Sequence, residues 1–101
     1  MDSAVEKSSA EALVRLSGRM TFGDQRAFRD ILRELQEAEA PKWVFDLSEV
    51  VFVDSSAIGM FVVAKDVAAK GNKSVVLRKP RNDVLELMKL QKLHRMMAIE
   101  E

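Results

Sequence analysis

The stretch Val50–Gly59 constrains the fold more than any other part of the chain. Its first four residues are apolar, as in a buried strand, and the polar step Asp54-Ser55-Ser56 follows at once. Beyond this step, apolar residues recur at helical spacing, beginning with Ile58 and Phe61. Asp and Ser side chains accept hydrogen bonds from the free N–H groups of a first helical turn, so the step predicts a helix start. A buried strand that leads directly into a helix indicates an α/β fold.

The rest of the chain continues this alternation of strand and helix patterns. Helical spacing predicts helices from Asp24 to about Glu39, from Asp54 to about Lys70, and from Pro80 to about Leu93. Apolar or alternating runs predict strands at 12–17, 42–47, 50–53 and 74–78, with short strands at 4–7 and 96–99. We therefore expect a single α/β domain over residues 1–101. Its mixed sheet has a mainly parallel core and an N-terminal antiparallel hairpin, and packs against helices.

Three local features refine this expectation. Gly18 is predicted to end the second strand, which leaves Met20 to Gly23 as a loop with exposed or half-exposed apolar side chains. Leu47-Ser48-Glu49 is predicted to be a bend between two strands. Gly59 lies inside a helical pattern, where glycine costs about 1 kcal/mol relative to alanine. Close packing by the core or by a partner would explain its presence.

Composition excludes several classes of function. Lys plus Arg equals Asp plus Glu at 16 each, and a zero net charge argues against a general binder of nucleic acid or anionic membranes. The chain has no cysteine and only one histidine, His94, so the residues offer no usual zinc site and no cofactor site. No apolar run approaches the ~20 residues of a membrane span. Residues 1–11 lack the apolar core of a secretory signal, which predicts a cytoplasmic protein.

A family likeness appears in the segment from Val44 to Gly59. Its residues 46–59 read D-L-S-E-V-V-F-V-D-S-S-A-I-G, which resembles the D-L-S-x-V-x-F-x-D-S-S-G-L-G signature of STAS domains, and more narrowly that of bacterial anti-sigma factor antagonists. Leu16-Ser17-Gly18, Gly71-Asn72-Lys73 and Leu90-Gln91-Lys92-Leu93 extend the likeness. One departure is Ala57, where the family usually has glycine; we expect it to alter how closely a partner approaches rather than the fold.

The resemblance implies a mechanism of partner switching. An antagonist of this family binds an anti-sigma factor that is also a serine kinase, is released when that kinase phosphorylates it, and is restored by a PP2C-type phosphatase. Carried over by position, the phosphoacceptor is Ser55, and ATP and Mg²⁺ belong to the partner. The predicted contact residues surround the helix start and the adjacent loop; they are Met20, Thr21, Phe22, Asp54, Ser55, Ser56, Ile58 and Gly59. The family analogy and the absence of coiled-coil heptads predict a monomer.

Other readings of the same residues stay open. Asp54-Ser55-Ser56 is, on capping statistics alone, a plain helix cap. The chain could also be a STAS module whose serine is not phosphorylated in a cycle, as part of a lipid-transport complex or a regulatory scaffold. An enzyme with Ser55 as nucleophile is disfavoured, because the chain has no G-x-S-x-G elbow and no convincing histidine partner.

Overall fold

A computed structural model describes residues 1–101 and contains one five-stranded sheet. The strands are β1 (Asp2–Lys7), β2 (Ala12–Met20), β3 (Lys42–Val53), β4 (Ser74–Arg78) and β5 (Ala98–Glu100), in that spatial order. β1 pairs antiparallel with β2, and the other neighbours are parallel. The helices are α1 (Gln25–Glu37), α2 (Ser55–Lys70) and α3 (Asn82–Leu90), with short 3-10 turns at Phe22–Asp24 and Leu93–Arg95. The predicted mixed sheet and its N-terminal hairpin are confirmed.

The core lies between the sheet and the helices. Its centre is a trio of buried aromatic rings from α1, β3 and α2: Phe28, Phe45 and Phe61. The centroids of Phe28 and Phe45 are 5.5 Å apart, and Phe61 meets both of them edge to face at 5.7 Å. Aromatic pairs in these geometries add to the free energy gained by burying their area. The trio therefore fixes α1 and α2 on β3, the strand that leads into α2.

The opposite face of the sheet carries a row of charges of alternating sign. Arg15, Asp46, Arg78 and Glu100 are register partners across β2, β3, β4 and β5. A hydrogen bond from Arg78 Nε to Glu100, 3.0 Å long, raises the pKa of the guanidinium despite its partial burial. Burial acts to raise the pKa of Asp46, but hydrogen bonds from Ser48 and nearby cations outweigh it and lower that pKa. The row is a stabilised surface feature, since each carboxylate lies beside a cation.

Two expected strand boundaries are wrong. β2 continues through Gly18 to Met20, and β3 is one strand where a bend at 47–49 was expected. The register between them shifts between Arg15 and Ser17 and again between Gly18 and Arg19, which are the positions of β-bulges. Gly18 has a φ of +83°, a conformation that glycine adopts without strain. The bulges shift the register without ending the pairing, so β2 and β3 form one continuous ladder.

Candidate functional site at the start of α2

Asp54 starts α2, as the sequence predicts. Its backbone is extended (φ −101°, ψ −178°), and its Oδ1 accepts a hydrogen bond of 2.9 Å from the Ala57 N–H. The Asp54 carbonyl also accepts bonds from the N–H groups of Ala57 and Ile58. This is the geometry of an N-cap residue, and it places the next residue, Ser55, in the first turn of α2.

The same carboxylate also holds the loop that follows β2. Asp54 Oδ2 accepts a 3.1 Å hydrogen bond from the Phe22 N–H, and the Asp54 N–H donates to the Met20 carbonyl at 3.3 Å. Within the loop, the Thr21 N–H donates to Asp24 Oδ2 at 2.8 Å. Asp54 thus joins the loop to the helix start. The sequence predicts Asp54 as a helix cap and a partner contact but not its bond to Phe22, because a contact between residues 22 and 54 leaves no local signal.

Replacing Asp54 tests this double role. In Asp54→Ala the Phe22 N–H loses its acceptor, and the Ala57 N–H keeps only the backbone carbonyl of residue 54. We therefore expect the free energy of unfolding to fall by about 2 kcal/mol. Asp54→Asn keeps one acceptor oxygen, so its free energy of unfolding should fall by about half as much. Urea unfolding measures the loss, and amide hydrogen exchange should become faster at Phe22 in Asp54→Ala. The matched control is Asp30→Ala on α1, whose carboxylate makes only an exposed ion pair with Arg33. Unchanged exchange at Phe22 would contradict the link between loop and helix.

The two serines of the step differ in exposure. Ser55 is exposed, whereas Ser56 is half-buried and lines a groove against α1. Ala57 is fully buried, so its methyl group points into the core. The expectation that Ala57 alters the approach of a partner is therefore wrong. Of the hydroxyls at this helix start, that of Ser55 is the more open to another protein.

The predicted contact residues divide into surface and core positions. Thr21, Ser55, Ser56 and Gly59 are at least partly accessible, and Phe22 is 67% exposed. Met20 is fully buried at the end of β2, which corrects the expectation that it lies exposed in a loop; the extra length of β2 is the reason. Ile58 is also buried, in the core under α2. The accessible part of the predicted surface therefore comes from the loop after β2 and the outer side of α2.

Sequence reasoning missed a second set of exposed side chains at this end of the sheet. Val51 is 72% exposed and Phe52 is 39% exposed, although both belong to an apolar run that predicts a fully buried strand. The Arg19 guanidinium lies 4.1 Å from the centroid of the Phe52 ring, a cation–π contact. The bulge beside Phe52 breaks the alternation and turns these residues outward. A continuous apolar run does not reveal a bulge, so the sequence offered no signal for this surface.

No group of three or more His, Asp or Glu side chains is placed to hold a metal ion. His94 lies exposed in the Leu93–Arg95 turn between α3 and β5. None of the helices has the length and apolar character that crossing a membrane requires. Trp43 is buried in the core, as expected for a packing residue.

Comparison with known proteins agrees with this geometry. A family model described as "Mlab, STAS domain" matches residues 3–99. A STAS-domain containing protein of Pseudomonas aeruginosa (strain UCBPP-PA14) is 28% identical over 90 residues, which are 88% of this chain and 87% of that protein. A putative anti-sigma factor antagonist from Thermotoga maritima superposes with a TM-score of 0.87 at 17% identity, covering 98% of this chain and 86% of that one. The anti-sigma factor antagonist SpoIIAA in its unphosphorylated form gives 0.83 at 15% identity, with coverages of 99% and 89%. At such identities the structural likeness establishes the fold.

Proposed function

Because the chain belongs to the STAS domain family, we propose that it is an anti-sigma factor antagonist that works by partner switching. In its unphosphorylated form it binds an anti-sigma factor that is also a serine kinase. Phosphorylation of Ser55 releases it, and a PP2C-type phosphatase restores it. The single observation that carries the proposal is the exposed Ser55 hydroxyl in the first turn of α2, at the position of the family's acceptor serine.

The first turn of α2 can carry a phosphate without loss of the fold. A helix N-terminus has partial positive charge and N–H groups that lack intrahelical acceptors. A phosphoserine adds ~1.5 to 2 negative charges there, and this placement favours the helix rather than opposing it. Since Ser55 is exposed, the phosphate also stays hydrated in the free domain. The modification therefore acts on the partner interface and not on the stability of the domain.

The surface around Ser55 suits a protein partner. Asp54 fixes the adjacent loop, and Phe22 on that loop presents a largely exposed aromatic ring. Aromatic side chains on rigid supports are frequent anchors of protein interfaces. The chain itself supplies only the acceptor hydroxyl, so ATP and Mg²⁺ act on the kinase, and the cycle runs in the cytoplasm. The chain is proposed to act as a monomer that forms a complex with one partner at a time.

Mapping the modified residue tests the proposal. We expect a cognate histidine-kinase-like serine kinase to add one phosphate in the presence of ATP. Intact mass and peptide mapping should place it on Ser55; Ser55→Ala should remove it, and the matched variant Ser56→Ala should retain it. Phosphate on Ser56 would show that the register of the site is wrong. No phosphorylation by that kinase would favour a STAS module of another assembly, such as a lipid-transport complex, in which the serine is not cycled.

A further inference from the structure

A groove between the N-terminal halves of α1 and α2 lies directly beside the candidate phosphorylation site. Its volume is about 310 Å³. The floor is formed by buried apolar side chains, and the rim by exposed or half-buried residues of both helices. The floor residues are Phe28, Leu32 and Met60, and the rim residues are Gln25, Arg29, Ser56, Gly59 and Val63.

Neither packing nor backbone conformation within the chain requires glycine at position 59. A Cβ atom built on Gly59 meets no other atom within 4 Å, and the residue has no positive φ that would require glycine. The expectation of close packing by the core is therefore wrong at this position. Glycine inside a helix lowers its stability relative to alanine. An occupant that approaches the α2 backbone across the groove would explain why no side chain fills this space.

The rim of the groove carries one unpaired cation. Arg29 is the only charged residue in its lining, and it takes part in none of the ion pairs of the protein. The two carboxylates closest in sequence to the helix starts, Asp24 and Asp54, are engaged by backbone N–H groups. These carboxylates lie at the helix N-termini and offset the positive ends of the helix dipoles, so Arg29 is the charge that the groove itself presents. An apolar floor with an unpaired cation at its rim is complementary to an apolar segment that carries a carboxylate.

We propose that this groove binds an amphipathic, acidic helix of the partner protein. The helix places an apolar side chain against Phe28 and Met60 and a carboxylate against Arg29, in the helix-in-groove mode. The rim from Ser56 to Val63 spans about 10 Å along α2, or two turns, which matches apolar residues at i, i+4 and i+7 of a bound helix. Several rim residues are solvent-exposed, so the groove is too shallow to enclose a small molecule.

The identity of the partner rests on the function proposed above, and the groove adds a reason for release on phosphorylation. Ser55 precedes Ser56, which lines the groove. A phosphate on Ser55 brings negative charge beside the groove that binds the acidic helix. The phosphate then repels the same acidic helix that Arg29 attracts. Binding and release therefore depend on the same carboxylate of the partner.

The first test uses designed peptides and the isolated protein. Two 18-residue helical peptides share leucines at i, i+4 and i+7 and differ only in carrying Glu or Lys at the flanking positions. We expect the Glu peptide to bind about tenfold more tightly than the Lys peptide at low salt. With ¹⁵N-labelled protein, the amide shifts should be confined to residues of the groove such as Arg29, Ser56 and Gly59. Equal affinities, or shifts confined to another surface, would overturn the proposal.

Variants then test the groove with the natural kinase partner. Gly59→Leu places a side chain in the groove, where a Cβ atom meets open space, and Arg29→Glu reverses the charge of the rim. We expect each to weaken binding at least tenfold. The matched controls are Ala69→Leu on the C-terminal half of α2 and Arg33→Glu on α1, both exposed and outside the groove lining; they should leave the affinity unchanged. Circular dichroism should show all four variants folded.

The outcomes separate this proposal from the phosphorylation cycle. If Ser55 is phosphorylated and release follows, but Gly59→Leu and Arg29→Glu bind normally, the groove proposal fails and the cycle stands. If the Glu peptide binds in the groove but no kinase modifies Ser55, the cycle fails and the groove stands. Groove amide shifts that grow with the concentration of the protein alone would identify a second copy of this chain as the occupant, and would also overturn the proposal.

Discussion

Phosphorylation of Ser55 is expected to weaken binding to the anti-sigma factor about a hundredfold while the domain stays folded. The phosphate adds ~1.5 to 2 negative charges to a surface that must lose water when the complex forms. Desolvation of an unpaired charge in an interface costs several kcal/mol, and about 3 kcal/mol is enough for a hundredfold change in affinity. In the free protein the same charge lies exposed at a helix N-terminus, where it is tolerated.

Isothermal titration with the kinase measures this effect. The phosphorylated protein should show the full hundredfold loss of affinity. Ser55→Glu should lose less affinity, because it adds only one charge, and Ser55→Ala should lose none. Ser9→Glu is the matched control, since Ser9 is exposed in the turn between β1 and β2, at the end of β2 opposite to the start of α2. Thermal unfolding should be nearly the same for all four forms. Equal dissociation constants for the phosphorylated and unmodified proteins would refute the switch, even with Ser55 modified.

Local signals made the helix start at Ser55 predictable. The cap at Asp54 depends on a carboxylate and on N–H groups only three residues away, so both partners stand in the same short stretch. The faces of β2 were equally clear, because Val14 and Leu16 alternate with exposed or half-buried neighbours. The mixed sheet followed from strand–helix alternation, which restricts how strands can be connected. The position of Ser55 directly after the carboxyl end of β3 could therefore be predicted from the sequence.

What the sequence did not reveal depends on contacts between distant residues. The bulges of β3 arise from its pairing with β2, and they decide that Phe52 faces outward and that Met20 still has a strand partner in Val53. The bond between Asp54 and Phe22 joins residues that are 32 positions apart. The open space beside Gly59 exists only once α1 lies against α2. These features shape the candidate surface, so the sequence predicted where that surface lies but not its shape.

The aromatic trio predicts the largest effect on stability. Phe61 is fully buried on α2 and contacts both Phe28 and Phe45 edge to face. We expect Phe61→Ala to lower the free energy of unfolding by about 4 kcal/mol, through lost burial, a cavity and two lost aromatic contacts. A domain of this size has only about 5–15 kcal/mol of stability, so the variant should be much less stable or unfolded at 37 °C. Phe61→Leu, which keeps most of the volume, provides a milder step that stays measurable.

Guanidinium unfolding of these variants measures how much the buried core stabilises the helix that carries the site. Val63→Ala is the control, since Val63 lies two residues along the same helix with about half of its surface exposed, and it should change the free energy by no more than about 0.5 kcal/mol. An unchanged m-value would show that the same surface unfolds in each variant. Because Phe61 anchors the helix that begins at Ser55, Phe61→Leu should also speed amide exchange in the first turns of α2. A fall of less than about 1 kcal/mol in the free energy of unfolding of Phe61→Ala would mean that α2 is held chiefly by its cap and its outer contacts. The site would then be a flexible surface rather than a rigid one.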